Sequence, residues 1–283
     1  MDSQLKQTLE LKANLIRQGI IEGTFNAKSG HPGGSLSVAD LFAYLYFSCL
    51  NVNPQEPRWE GRDRLVLSKG HAAPAYYAAL ALRGFFPFEE IKNLRKIGHH
   101  LQGHPDRKHT PGVDMSSGSL GQGISAAVGM AYDAKLKAKS HKVYAILGDG
   151  EIQEGQVWEA AMFAGHKKLD NLIAFVDNNN LQIDGSMEEV ISPYPIAAKF
   201  EAFGWNTAEI NSHDFAQLEA AFEKAKAAQG KPFVIIGKSV KGKGVSFMED
   251  KVEWHGAAPN KEQYDTALAE LKAEYKKLEE SAL

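Results

Sequence analysis

The sequence predicts an α/β fold, a mainly parallel sheet with helices on both faces. Three observations lead there. Short, wholly apolar runs such as 143–147 and 172–176 recur and alternate with segments of helical periodicity. Of the 283 residues, 43% are hydrophobic and 24% charged, enough apolar surface for a sizeable core. No internal repeat or low-complexity linker divides the chain, so 1–283 reads as a single domain.

Each element has its own signal. Leu5, Leu9, Leu15, Ile16 and Ile20 mark an amphipathic helix over 4–22. A Gly-rich loop over 28–35 leads to an apolar helix beginning near Ser37, with Val38, Leu41, Phe42 and Leu45 inward. The apolar run at 64–68 reads as a short buried strand, and 72–83 as a helix. Polar, Gly-rich and His-rich sequence over roughly 97–123 is too long for an ordinary connector, which points to function. Then come a helix at 124–139, a strand at 143–147, a helix at 155–168 and a strand at 172–176. A strand near 205–210 precedes a helix that Asp214 starts, with Phe215, Leu218 and Phe222 on one side; 233–236 is the last strong strand. Tyr264, Leu268, Leu271, Tyr275 and Leu278 give an amphipathic C-terminal helix at about 260–281.

Charge and cysteine content narrow the class. Lys and Arg number 32 against 35 Asp and Glu, a formal net charge of −3, which argues against a nucleic-acid binder. A small anion remains compatible, because a phosphate site needs only local donors. The single cysteine, Cys49, lies in an apolar run and reads as a buried small hydrophobe. With no secretory signal and no uncharged run longer than 41–55, the expectation is a cytoplasmic protein with no membrane segment.

The most informative stretch is Gly148-Asp149-Gly150, directly after the strand at 143–147. Ligands of open parallel sheets bind outside the carboxyl ends of the strands, where this loop falls. Glycines on both sides are expected to let the backbone turn tightly while Asp149 points into the crevice. The next strand ends in the Asn-rich 177–185, and a right-handed crossover returns both tips to one edge. A carboxylate, an amide oxygen and a backbone carbonyl would converge there, an all-oxygen set suited to Mg²⁺. A turn and a polar loop would explain either tripeptide alone; the two on consecutive strands point to a site.

Histidines beside glycines form the second group: His31 in SGHPGGS, His71 in SKGHA, His104 in QGHPD and His255 in EWHGA. Imidazoles donate to phosphate and hydroxyl groups and shuttle protons near neutral pH. Together with the GDG motif and GSLGQG at 118–123, these loops resemble transketolase, in the family's order and over about residues 10–260. The resemblance implies the diphosphate-binding domain of a thiamine-diphosphate-dependent enzyme, with Mg²⁺ as metal and Ca²⁺ or Mn²⁺ able to substitute. It implies metal ligation by the side chains of Asp149 and Asn179 and the carbonyl of Leu181. Gly150 would lie against the diphosphate, and Gly118, Ser119 and Leu120 would support the aminopyrimidine. His71 and His255 would approach the diphosphate, His31 and His104 the sugar, and Glu154 an interface between paired sites. Ser119 stands where the family often has proline.

The activity so implied is transfer of a two-carbon ketol unit between phosphorylated sugars. The family's pyrimidine-binding and C-terminal domains have no counterpart here, so the expectation is half an active site, completed by a second chain within a heterotetramer. The rivals are a subunit of a deoxyxylulose-phosphate synthase-like or 2-oxo acid dehydrogenase-like enzyme, a transketolase-like enzyme for an unusual sugar, and a non-catalytic subunit.

Other signals are weaker. Gly121 to Ala126 matches a dinucleotide pattern but follows no strand, and Pro232 stands where a P-loop needs its first glycine. His99, His100, His104 and His109 are a candidate zinc cluster. Lys238, Lys241 and Lys243 read as a solvated basic loop.

Overall fold

The computed structural model describes residues 1–280. The strands are β1 (Arg64–Leu67), β2 (Val143–Gly148), β3 (Leu172–Asn178), β4 (Leu181–Gln182), β5 (Gly185–Ser186), β6 (Asn206–Asn211) and β7 (Phe233–Lys238). Five form one parallel sheet in the order β1-β2-β3-β7-β6, and β4 and β5 make a small antiparallel hairpin. The helices are α1 (Ser3–Ala27), α2 (Pro32–Leu36), α3 (Ala39–Tyr44), α4 (Ala73–Arg83), α5 (Gln122–Leu136), α6 (Gly155–His166), α7 (Ile196–Ala202), α8 (Phe215–Ala227) and α9 (Lys261–Glu280). Position 281 of the expected terminal helix lies outside the described residues.

The apolar strands are buried on both faces because side chains alternate across the sheet. Tyr144, Ile146, Ile173, Phe175, Phe233 and Ile235 enter one core with residues of α1, α3, α4 and α8. Val143, Ala145, Leu147, Leu172, Ala174, Val176, Val234 and Ile236 enter the other, with α5, α6 and α7. The chain steps from β2 to β3, passes on to β6, and returns with β7 to fill the space between. Right-handed crossovers therefore put α6 and α7 on one face and α8, on the return step, on the other. The edge strand β6 is only partly buried, which explains its mixed sequence Asn206-Thr207-Ala208-Glu209-Ile210-Asn211.

Several short elements lack a sequence pattern long enough to read. They include α2 inside the Gly-rich loop, α7, the β4–β5 hairpin and the 3₁₀ turns at Phe88–Asn93 and Val252–His255. The helix expected from Ser37 is α3 followed by one wide π turn, Leu45–Cys49. Cys49 is buried there, its Sγ 3.8 Å from the Tyr144 hydroxyl, and burial pushes its thiol pKa up. Among the described residues no helix is long and apolar enough to cross a membrane.

Asp214 does start α8: its Oδ1 accepts from the backbone N–H of Ala216 at 2.9 Å and of Gln217 at 3.2 Å. Asp214→Ala is expected to cost about 1 kcal/mol, seen as a fall of roughly 2–4 °C in the thermal midpoint. An unchanged midpoint would show that the cap contributes nothing.

Candidate active site

Four strand ends bring the chemistry together. β1 runs into Ser68 and Lys69, β2 into Asp149, β3 into Asn179, and β7 into Ser239 and Lys241. Helix α5 closes in from the side: a Cβ on Gly123 would lie 2.6 Å from the Ser68 Cα, so only glycine permits this approach. The buried Glu151 ties the same elements together, accepting from the Gly121 N–H at 2.9 Å, the Gly148 N–H at 3.0 Å and the Ser68 hydroxyl. A cavity of about 190 Å³ opens at this edge. Its lining includes Lys69, His71, Leu120, Asp149, Gly150, Glu154, Asn179, Leu181, Lys241 and His255.

Asp149, Asn179 and Leu181, the residues that the resemblance assigns to a metal, all line this cavity. Asp149 is buried; its Oδ1 accepts from the Gly150 N–H at 2.9 Å and its Oδ2 from the Asn180 N–H at 2.6 Å. Asn179 Oδ1 accepts from the Leu181 N–H at 3.1 Å, and its Nδ2 donates to Asp177 at 2.9 Å. Gly150 departs from expectation. Its φ is −68°, a conformation open to any residue, so this glycine does not serve the turn. A Cβ there would meet Gln182 Cβ at 3.4 Å, an ordinary contact.

A buried ion pair that sequence reasoning missed lies beneath these oxygens. Lys69 Nζ donates to Asp177 Oδ2 at 2.6 Å and to the Gly34 carbonyl at 2.8 Å. Asp177 also accepts from Ser37 at 2.7 Å and from Ser239. Burial alone would raise the Asp177 carboxyl, but Lys69 and these donors hold it below its ordinary range. The readable signal for Lys69 is its place at the end of an apolar strand, inside the SKGHA motif. Asp149 fares differently: burial first, then Asp177, push its carboxyl up to about 7. Lys69 is committed to Asp177, so Asp149 makes no ion pair among the described residues.

The basic-loop reading is corrected at one of its three lysines. Lys238 is exposed, but Lys241 is buried, its Nζ 3.2 Å from the Leu181 carbonyl and 2.9 Å from His255 Nδ1. Burial, then Lys69 nearby, lower its pKa to about 8. With Lys241 donating, His255 Nδ1 is the acceptor and the imidazole proton sits on Nε2, free to donate outward. Nothing local in the sequence separates Lys241 from its neighbours; packing against His255 does.

The other three loop histidines gather around His31. Its ring centroid lies 5.4 Å from His71, 5.6 Å from His255 and 6.3 Å from His104, and His71 lies 5.3 Å from His255. Burial is the main cause that lowers all four pKa values, His31 to about 4 and His255 to about 3, with Arg95, Lys69 and Lys241 adding to it. At neutral pH they are uncharged, each with one donor and one acceptor nitrogen. His31 Nδ1 is buried without a hydrogen-bond partner.

Gly118 sits against the His104 ring, Leu120 is 37% exposed at the cavity rim, and Ser119 and Glu154 are exposed. The zinc reading fails for two of its histidines. His104 belongs to the cavity group, and His109 pairs with Asp106 at 2.5 Å. His99 and His100 instead meet Glu90, at 3.3 and 2.6 Å. His99 Nδ1 accepts from the Leu101 N–H, which puts its proton on the Nε2 that faces Glu90. The three meet around the Glu90 carboxylate, with His100 Nδ1 buried and without a hydrogen-bond partner.

The donor set fits a hard divalent cation: all oxygen, one buried carboxylate that makes no ion pair among the described residues, and neighbouring ammonium and imidazole donors for phosphate oxygens. Fold and site together suit a metal-chelated diphosphate at the carboxyl edge of a parallel sheet. Comparisons with known proteins make this specific. Residues 9–279 match the family model described as the transketolase, thiamine diphosphate binding domain. The chain belongs to the transketolase family and corresponds to its thiamine diphosphate-binding section, whose cofactor is thiamine diphosphate with a divalent metal.

The 6-deoxy-6-sulfo-D-fructose transketolase subunit SqwG of Clostridium sp. strain MSTE9 is 47% identical over 272 residues, covering 96% of this chain and 99% of that protein. An apulose-4-phosphate transketolase subunit from Phocaeicola vulgatus is 40% identical, covering 96% and 97%. Mouse transketolase is 44% identical over 95% of this chain but only 43% of its own. The Campylobacter jejuni transketolase structure superposes with a TM-score of 0.86 at 36% identity, covering 96% of this chain and 43% of that one. The chain thus spans nearly all of the two subunits and less than half of the longer transketolases.

Proposed function

We propose that this chain is one subunit of a transketolase, a single domain holding the diphosphate half of the active site while a second chain supplies the pyrimidine-binding and C-terminal domains. The observation that carries this reading is Asp149, Asn179 and Leu181 converging beside Lys241 and four neutral histidines at one sheet edge. Relatives that this chain matches end to end are named as subunits, which supports a partner. So do the exposed Leu120 and Ile183 (37% and 68%) at the cavity. Two such pairs assembled as a heterotetramer, with Glu154 at the contact between sites, would complete the enzyme in the cytoplasm.

Thiamine diphosphate supplies the nucleophilic carbon and the electron sink for breaking and remaking a C–C bond. The protein's residues bind, orient and move protons. Asp149, Asn179 and the Leu181 carbonyl would hold Mg²⁺, with Gly150 against the diphosphate. Lys241, His71 and the outward Nε2–H of His255 would donate to diphosphate oxygens. The backbone at Gly118, Ser119 and Leu120 would flank the aminopyrimidine. His31 and His104 would receive and return hydroxyl protons of a phosphorylated sugar, a role open to them because burial keeps both rings uncharged.

The test is reconstitution of chain and partner with thiamine diphosphate and Mg²⁺. Ketol transfer from a ketose to an aldose phosphate is expected, without pyruvate decarboxylation; the reverse pattern would overturn the reading in favour of another thiamine-diphosphate enzyme. Two relatives named for unusual sugars at 47% and 40% identity favour including 6-deoxy-6-sulfofructose and apulose 4-phosphate beside fructose 6-phosphate as donors.

A further inference from the structure

Lys241 reaches the cavity from a loop that a buried cluster grips on both sides. Asp40, on α3, is the hub: its Oδ2 accepts from Arg17 Nη2 at 2.5 Å and from His213 Nδ1 at 2.7 Å. His213 Nε2 then accepts from the Val240 N–H at 2.9 Å, and Arg17 Nε donates to the Lys243 carbonyl at 3.0 Å. One carboxylate thereby anchors the residue before Lys241 and the residue two after it. The two partners also fix the His213 tautomer, with the proton on Nδ1 facing Asp40.

The loop has little other freedom. Gly244 has φ +92°, and a Cβ there would lie 2.7 Å from Arg17 Cδ, so the loop closes down onto Arg17. The Gly242 N–H donates to the Gly33 carbonyl at 3.0 Å, tying the same loop to α2. Arg17 and Asp40 are both buried. A buried ion pair of this kind adds little stability over apolar residues of equal volume. Apolar residues, however, would offer nothing to the Val240 N–H or the Lys243 carbonyl. Burial raises the Asp40 carboxyl, yet Arg17 and His213 hold it down at about 2, so it stays ionised.

We propose that Asp40 is a positioning residue for cofactor binding: through His213 and Arg17 it sets the backbone on both sides of Lys241, and so places the Lys241 ammonium against the diphosphate. This rests on the reading of the cavity as a thiamine diphosphate site. Both donors meet the same oxygen, Oδ2, which an asparagine amide could still offer, whereas Asp40→Ala removes that acceptor and releases both arms.

The test titrates thiamine diphosphate at fixed Mg²⁺ into the enzyme assembled from chain and partner, with Asp40→Ala, Lys241→Met and the double variant. Losing a charged hydrogen bond corresponds to about a tenfold or greater fall in affinity. Asp40→Ala is expected to show such a fall, faster amide exchange at 240–244, and no further loss in the Lys241→Met background. Wild-type affinity in Asp40→Ala, or losses that multiply in the double variant, would overturn the proposal. If Asp40→Ala does not fold, His213→Ala, which frees only the Val240 arm, takes its place in the same cycle. A wild-type enzyme that binds no thiamine diphosphate would instead sink the cofactor reading beneath it.

Discussion

Asp149→Asn is expected to abolish metal-dependent binding of thiamine diphosphate while leaving the metal-free chain close to the wild type in stability. The two effects have one electrostatic origin. Asp149 is buried, has no ion-pair partner among the described residues and lies near a second buried carboxylate, Asp177. A negative charge there is unfavourable until a cation arrives, which makes it an effective metal ligand. An amide of the same shape removes the repulsion and the anionic ligand together, and the relief offsets the loss of one acceptor, since its NH₂ cannot accept from the Gly150 or Asn180 N–H. Removing even an outer-shell partner of a metal ligand costs roughly 10–100-fold in affinity, so loss of this charge should lie at or beyond the upper end. Calorimetric titration with Mg²⁺ and thiamine diphosphate, run beside a thermal melt of the metal-free protein, reads both effects. Retained tight binding would remove Asp149 from the metal site.

The largest effect on the fold itself is expected at Lys69. Its ammonium is 1% exposed and Asp177 is fully buried, so Lys69→Met leaves a carboxylate without its counter-ion in the protein interior. Breaking a buried pair from one side costs about 3–5 kcal/mol, a drop of order 10 °C in the thermal midpoint for a chain of this size. Adding Asp177→Asn should recover part of the loss, because the stranded charge disappears while Ser37, Ser239 and Asn179 remain as partners. A single variant that melts within about 1 kcal/mol of the wild type, by the same conversion, would show that the interior around Asp177 is wetter than its burial implies.

The parallel sheet and the convergence of the GDG and Asn-rich loops were legible because both depend on local regularities. An apolar run of five or six residues has to be buried on both faces, and consecutive parallel strands have to end on the same side. The tips of β2 and β3 could therefore be placed from the sequence, and Asp149 and Asn179 with them, while Leu181 was singled out by the family resemblance. The loop histidines were legible as a set, since each sits beside a glycine in a short motif, although nothing in 31, 71, 104 and 255 as numbers says that three of their rings surround the fourth.

Charge partnership lay outside what the sequence could determine. Lys69 and Asp177 are 108 residues apart, Asp40 and His213 are 173 apart, and each pair meets only because separate crossovers end at the same sheet edge. Lys238, Lys241 and Lys243 look alike along the chain, and the sequence alone assigned all three to solvent. By itself it determined the fold class and the sheet edge at which the GDG and Asn-rich loops meet, which follow from strand periodicity and strand ends. Tertiary structure decided which lysine is buried, which carboxylate it neutralises and which is left for a cation, because only long-range packing sets the dielectric surroundings of a charge.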